Sequence, residues 1–180
     1  MPHKETLIKS FGDAGLYDRG GKKVLRIKDG FVGKERANNF YDELSPSGDV
    51  LMIGLAMGLF YQAHEDSINS LTSIEMNQDI IDMYNDENAP GDKHTIIQGD
   101  GCDFIADTTD TFDYILFDIE GNVPGKQIKE PTKEFIDCAL AKLNTNGTLV
   151  INVSNTADTI ITEYDGRYSD SGNFVLLESA

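Results

Sequence analysis

A chain of 180 residues suits a single domain with an adequate core, and its 39% hydrophobic and 26% charged content is that of an ordinary globular protein. Its 31 acidic and 15 basic residues give a formal charge of −16, a field that repels nucleic-acid phosphates and anionic membranes. The same charge would attract a cationic partner such as a polyamine or a basic peptide, although a highly soluble or salt-adapted surface explains it better.

Residues 1–33 carry two β-type runs, Thr6 to Phe11 and Lys23 to Ile27, separated by the turn-forming stretches Gly12-Asp13-Ala14-Gly15 and Asp18-Arg19-Gly20-Gly21. This region reads as a small antiparallel hairpin or meander that must pack on the rest of the chain or on another subunit, and it is a candidate contact for a homo-oligomer. Residues 34–180 then form one globular unit. A helix is expected where Ala37, Phe40, Tyr41 and Leu44 recur, ended by Ser45-Pro46-Ser47-Gly48. From Asp49 onward strand and helix alternate. Val50 to Ile53 is a continuous apolar run of the kind buried on both faces, and Leu71 to Ile74, His94 to Ile97, Tyr114 to Phe117 and Thr148 to Val153 read as four further strands. One helix between them is capped by Asn77 and lined by Ile80, Met83 and Tyr84. Another is lined by Ile136, Ala139, Leu140 and Leu143 and is stopped by Asn146-Gly147. A last helix near Asp158 to Tyr164 and a strand at Asn173 to Leu177 complete an α/β, Rossmann-like, doubly wound and mostly parallel sheet with a small N-terminal β-hairpin region.

In such a sheet, ligands sit beyond the carboxyl ends of the strands, so the residues that follow each strand are the candidates. After the first strand comes Gly54-Leu55-Ala56-Met57-Gly58, where Gly54, Ala56 and Gly58 allow a tight turn and close backbone approach. Steric need in a βα turn accounts for such glycines too. Glu75 ends the second strand, 21 residues after Gly54, the position from which a carboxylate accepts from both hydroxyls of a ribose. Gly99-Asp100-Gly101 follows the third strand, where Asp100 and Gly101 could meet the amine of an adenine or simply make a turn. Asp118 and Glu120 follow the fourth, beside the reacting centre, where an acid can also serve as a helix cap.

The series Asp49 to Gly54, Ile74-Glu75, Gly99-Asp100-Gly101, Phe112 to Asp118 and Gly147 to Val150 resembles the motifs of class I S-adenosylmethionine-dependent methyltransferases. It is most similar, within that superfamily, to the spermidine synthases. Upstream, Asp29-Gly30-Phe31-Val32 and Tyr41-Asp42-Glu43-Leu44 resemble the segment that links the N-terminal β-region of those enzymes to their nucleoside domain, so the resemblance spans residues 22–153. It implies that Gly54, Ala56 and Gly58 face the methionine side of S-adenosylmethionine or its decarboxylated form. It likewise assigns Glu75 to the ribose, Asp100 and Gly101 to the adenine, and Asp118 to the transferred group. The chain departs from the family pattern at Met57, where an acid is usual, at Gly121-Asn122, where an aspartate and a proline are usual, and at Asp42, where a histidine is typical. Its C-terminal part is also short. These departures bear on aminopropyl transfer, which needs acids to hold and deprotonate an amine, and leave nucleoside binding intact.

The chemistry so implied is displacement at a sulfonium carbon, with Asp118 and Glu120 as candidate proton acceptors. The expected reaction is methyl transfer to a small-molecule acceptor, the alternative aminopropyl transfer to a polyamine; a nucleoside-binding protein without catalysis is a third reading. A nicotinamide oxidoreductase fits less well, because the first turn lacks the third glycine of the pyrophosphate loop. His3, His64 and His94 lie apart and no Cys-x-x-Cys occurs, so no metal site is expected. The first residues lack the features of a signal peptide, the longest apolar stretch is too short to span a bilayer, and Cys102 and Cys138 read as free thiols, which together predict a cytoplasmic protein without membrane association.

Overall fold

A computed structural model of the chain describes residues 4–28, 30–34, 40–88, 91–119, 122–123, 126–127, 131–152 and 157–179. Four strands come first, β1 (Thr6–Phe11), β2 (Ala14–Asp18), β3 (Lys23–Ile27) and β4 (Gly30–Lys34), paired antiparallel in sequential order. The main body follows as β5 (Gly48–Ile53), α1 (Leu59–His64), β6 (Ile68–Glu75), α2 (Gln78–Glu87), β7 (His94–Gln98), α3 (Gly101–Asp107) and β8 (Phe112–Phe117). A two-residue ladder of β9 (Asn122–Val123) with β10 (Lys126–Gln127) leads to α4 (Lys133–Ala141), β11 (Leu143–Asn152), α5 (Ala157–Tyr164), β12 (Arg167–Tyr168) and β13 (Phe174–Glu178).

The large sheet runs β12-β13-β11-β8-β5-β6-β7, with β11, β8, β5, β6 and β7 parallel and β12 and β13 antiparallel at one side. The inner stretches of its central strands, residues 50–53, 114–117 and 149–151, are apolar because both faces are covered. Leu51, Ile53, Ile115, Phe117, Leu149 and Ile151 point to one face and pack with Ile105 of α3, Phe135, Ile136 and Ala139 of α4, and Ile160 of α5. Val50, Met52, Tyr114, Leu116 and Val150 point to the other, where Phe60 and Tyr61 of α1 join Tyr41 and Leu44. Asn77 caps α2 by accepting from the Asp79 N–H, as its position ahead of the Ile80-Met83-Tyr84 stripe predicts.

Three sequence expectations change. The Gly12 to Gly15 stretch is not all turn, since β2 already begins at Ala14. Gly15 is tolerated in that strand because the Tyr17 ring covers the place where a side chain would stand. The second amphipathic helix ends at Lys142 instead of at Asn146-Gly147. Leu143 opens β11, and Asn146, with φ 62, kinks that strand where its register against β8 slips. Of the helix expected around Tyr41, Ala37 lies outside the described residues and residues 40–43 form turns, with the Leu44 N–H donating to the Tyr41 carbonyl at 2.9 Å.

The N-terminal sheet docks on α2. Ala14, Leu16, Leu25 and Ile27 bury one face against Ile80, Ile81, Met83, Tyr84, Leu55 and Met57. At the rim, Lys9 pairs with Asp86, and Lys23 with Glu87 at 2.7 Å. Asp79, in the first turn of α2, accepts from the Asp13 N–H at 2.7 Å and lies where a side chain on Gly12 would stand. Exposed ion pairs contribute little, so the apolar face and the Asp79 bond do most of the docking. Asp79→Ala is expected to cost about 1–2 kcal/mol, read as a lower urea midpoint at unchanged slope. An unmoved midpoint would mean that the apolar face alone holds the sheet.

Candidate ligand-binding site at the strand ends

β5 and β8 are neighbours, but the chain leaves them in opposite directions, from β5 towards β6 and from β8 towards β11. That reversal opens a crevice at their carboxyl ends. Along this rim the order of strands β8-β5-β6-β7 sets Asp118, Gly54, Glu75 and Asp100 side by side.

Gly54 is required here. It has φ 102, and a Cβ would run into the Asp118 carbonyl oxygen. Both neighbours hold this end of β5: the Gly54 N–H donates to the Ile74 carbonyl at 2.9 Å, and the Asp118 N–H donates to the Ile53 carbonyl at 3.0 Å. The following turn continues with Ala56 at φ 46 and Gly58 at φ 71, both in the left-handed region. Leu55 and Met57 are buried against the N-terminal sheet. Gly33 of β4 faces Ala56 and Met57 at ordinary contact distance. The position where an acid is usual therefore serves as a packing position.

Glu75 reaches back to the turn. Its Oε2 accepts from the Leu55 N–H at 3.2 Å and its Oε1 from the Asn77 N–H at 2.9 Å. Burial raises its pKa above the ordinary carboxylate value, and the N–H groups of Asn77 and Leu55 only partly offset that. Asp100 is exposed and caps α3, its Oδ1 accepting from the Cys102 N–H at 2.8 Å and the Asp103 N–H at 3.4 Å. Gly101 lets that helix press on β5, since a Cβ there would run into Ile53.

Asp118 is held at both oxygens. Asn152 Nδ2 donates to Oδ1 at 2.6 Å, and the Tyr41 hydroxyl donates to Oδ2. Burial again pushes the pKa up, against the pull of these two bonds. Glu120 lies outside the described residues. Beyond it, β9 lies against β4 of the N-terminal sheet.

Sequence reading missed Tyr41 and Asn152 as partners of Asp118. Asn152 ends β11, the strand beside β8, so the strand-end rule that selected Glu75 reaches it as well. Met76, next to Glu75, is 55% exposed. Among the described residues no cluster of metal-binding side chains occurs and no helix is long and apolar enough to cross a membrane. Cys102 and Cys138 are free thiols.

No family model and no curated protein matches the chain by sequence. Solved structures do match it. Spermidine synthase from Thermotoga maritima superposes with a TM-score of 0.75 at 14% identity, over 99% of this chain and 75% of that one. A spermidine synthase in complex with the transition-state analogue AdoDATO gives 0.73 at 13% identity, over 99% and 74%. Human methyltransferase-like protein 13 in complex with SAH gives 0.58 at 16% identity, over 79% and 75%. The chain thus has the Rossmann-like fold shared by spermidine synthases and S-adenosylmethionine-dependent methyltransferases. The near-complete overlap with the spermidine synthases takes in the N-terminal sheet.

The Tyr41 hydroxyl favours the ionised form of Asp118 by hydrogen bonding to it. Tyr41→Phe should therefore raise the Asp118 pKa further, measured by carbon-13 NMR of its carboxyl group; an unchanged or lower value would remove Tyr41 from the electrostatics of the crevice.

Proposed function

We propose that this protein binds S-adenosylmethionine or a close sulfonium relative across the ends of β5, β6 and β8 and transfers its methyl group to a nucleophilic small-molecule acceptor. The observation that carries this reading is the row of Gly54, Glu75 and Asp118 on three adjacent strand ends, with a turn at Gly54 that no other residue can make. The fit is chemical as well. Two carboxylates held above their ordinary pKa by burial gain from a positive ligand, because a nearby cation favours their ionised forms. When bound, the sulfonium supplies an electrophilic carbon and a neutral thioether leaving group.

The chain's own residues then divide the remaining work. Gly54, Ala56 and Gly58 present backbone to the amino-acid side of the ligand. Glu75 accepts from the ribose hydroxyls with the lone pairs that Leu55 and Asn77 leave free. Asp100, Gly101 and the exposed Met76 border the purine. Asp118 takes the proton lost by an amine or hydroxyl acceptor, its orientation fixed by Tyr41 and Asn152. Glu120 is the second candidate acid.

Aminopropyl transfer is the second reading. It is favoured by the 99% overlap with spermidine synthases, against 79% with the methyltransferase, and by an acidic chain suited to a polyamine. Calorimetry against S-adenosylmethionine, its decarboxylated form, S-adenosylhomocysteine and methylthioadenosine separates the two. S-adenosylmethionine binding tightest supports methyl transfer, the decarboxylated compound supports aminopropyl transfer, and silence from all four rejects both. Asp118→Asn is expected to lower turnover at least about 100-fold while leaving nucleoside affinity within about threefold. Unchanged turnover would take Asp118 out of the chemistry.

A further inference from the structure

Behind the glycine turn, on the face of the sheet covered by α1 and α2, lies a buried polar cluster that the ligand reading does not use. His94, which opens β7, is bonded at both ring nitrogens, Nε2 with Ser73 Oγ of β6 and Nδ1 with the Tyr84 hydroxyl of α2, each at 2.9 Å. Tyr61 of α1 stacks on the imidazole with ring centroids 4.7 Å apart. Tyr84 in turn lies directly against Gly58, where any Cβ would run into its ring. Gly58 closes the turn, its N–H donating to the Leu55 carbonyl at 2.9 Å. The imidazole thus anchors the ring on which the turn rests.

A neutral imidazole offers one N–H and one lone pair, so of the two hydroxyls one donates to it and the other accepts from it. A protonated ring offers two N–H groups and no lone pair, so the hydroxyl that donated must turn to accept, and its own hydrogen is left without a partner among buried groups. The groups facing His94 are Ser73 from β6, Tyr84 from α2 and Tyr61 from α1, all uncharged at neutral pH. Glu65 and Asp92 act electrostatically on Tyr61, and Glu65 on Tyr84 as well, while the Lys93 ammonium donates to the carbonyls of Glu65 and Ile68. Among the described residues no carboxylate hydrogen-bonds the ring to stabilise a charge there. Burial accordingly lowers the His94 pKa from its ordinary value to about 4.

We propose that His94 is a pH-sensitive positioning residue for the glycine turn: its neutral ring clamps Tyr84 beneath Gly58, and protonation releases the clamp and loosens residues 54–58. Because burial favours the neutral ring, the clamp is complete above the ordinary histidine pKa of about 6.5 and weakens progressively as pH falls towards 4. The clamp is a property of the ligand-free protein. Only its consequence, a loss of nucleoside affinity in the same window, rests on the ligand reading above.

Amide hydrogen exchange of the full chain between pH 7.5 and 5, corrected for the intrinsic pH dependence of exchange, tests it. The Leu55 and Gly58 amides should lose protection by about 30-fold at pH 5 relative to pH 7.5, more than amides of β8 and β11. Glu75 also titrates and accepts from the Leu55 N–H, so the decisive comparison is with His94→Gln, which keeps Glu75 and should lose most of the effect. Tyr84→Phe leaves the ring under Gly58, removes the bond to His94, and should flatten the profile likewise if His94→Gln does not fold. Wild-type turn protection that is flat while the chain stays folded would overturn the proposal. So would a loss that persists in the variants, or one matched equally by β8 and β11. Calorimetry with S-adenosylhomocysteine at the same pH values keeps the two claims apart: absence of binding at every pH rejects the ligand reading, and the exchange data still decide the clamp.

Discussion

The approach of β5 to β8 at Gly54 is the constraint from which the site follows. Hydrogen bonds to Ile74 and from Asp118 hold β5 in the sheet to its last residue, and the Asp118 carbonyl occupies the space of a side chain on the next one. Glycine is therefore forced, and the chain must leave the sheet in a conformation with positive φ. That exit directs the Leu55 N–H at Glu75, and it buries Leu55 and Met57 under the N-terminal sheet. A substitution at Gly54 would disturb the turn and both carboxylates together.

Much of this was legible because the strands are buried on both faces. Continuous runs such as Val50 to Ile53 and Tyr114 to Phe117 leave no other reading, and the strand ends then mark Glu75, Asp100 and Asp118 by position alone. Legibility failed where one signal served two structures. Leu143 continues the helical spacing of Ile136, Ala139 and Leu140, yet it starts β11, because Asn146 can take the left-handed conformation inside a kinked strand as readily as at a helix end. Gly15 looks like a turn residue but sits in β2 with the Tyr17 ring filling its missing side chain.

Partners distant in sequence were the harder part. Tyr41 and Asp118 are 77 residues apart, and no local pattern links a tyrosine in a turn to an acid at a strand end. In the sequence His94 was only one of three separated histidines without ligand spacing. Its two hydroxyl partners come from β6 and α2: the sheet register sets Leu71 beside His94, two residues from Ser73 on the same face, and the packing of α2 on that face brings Tyr84.

The electrostatics of the rim follow from the same packing. The chain as a whole is strongly acidic, yet the acids that matter for the crevice are those least able to express charge, since burial favours the protonated forms of Glu75 and Asp118. The exposed acids that dominate the net charge are hydrated and screened within about 8–10 Å at ordinary salt, so they supply a long-range attraction but little selectivity. With the sulfonium ligand proposed above, selectivity for its charge would come from the two enclosed carboxylates. Both are already oriented, Glu75 by backbone N–H groups and Asp118 by Tyr41 and Asn152, so neither has to reorganise when a cation arrives. A neutral ligand of the same shape would gain nothing from that orientation.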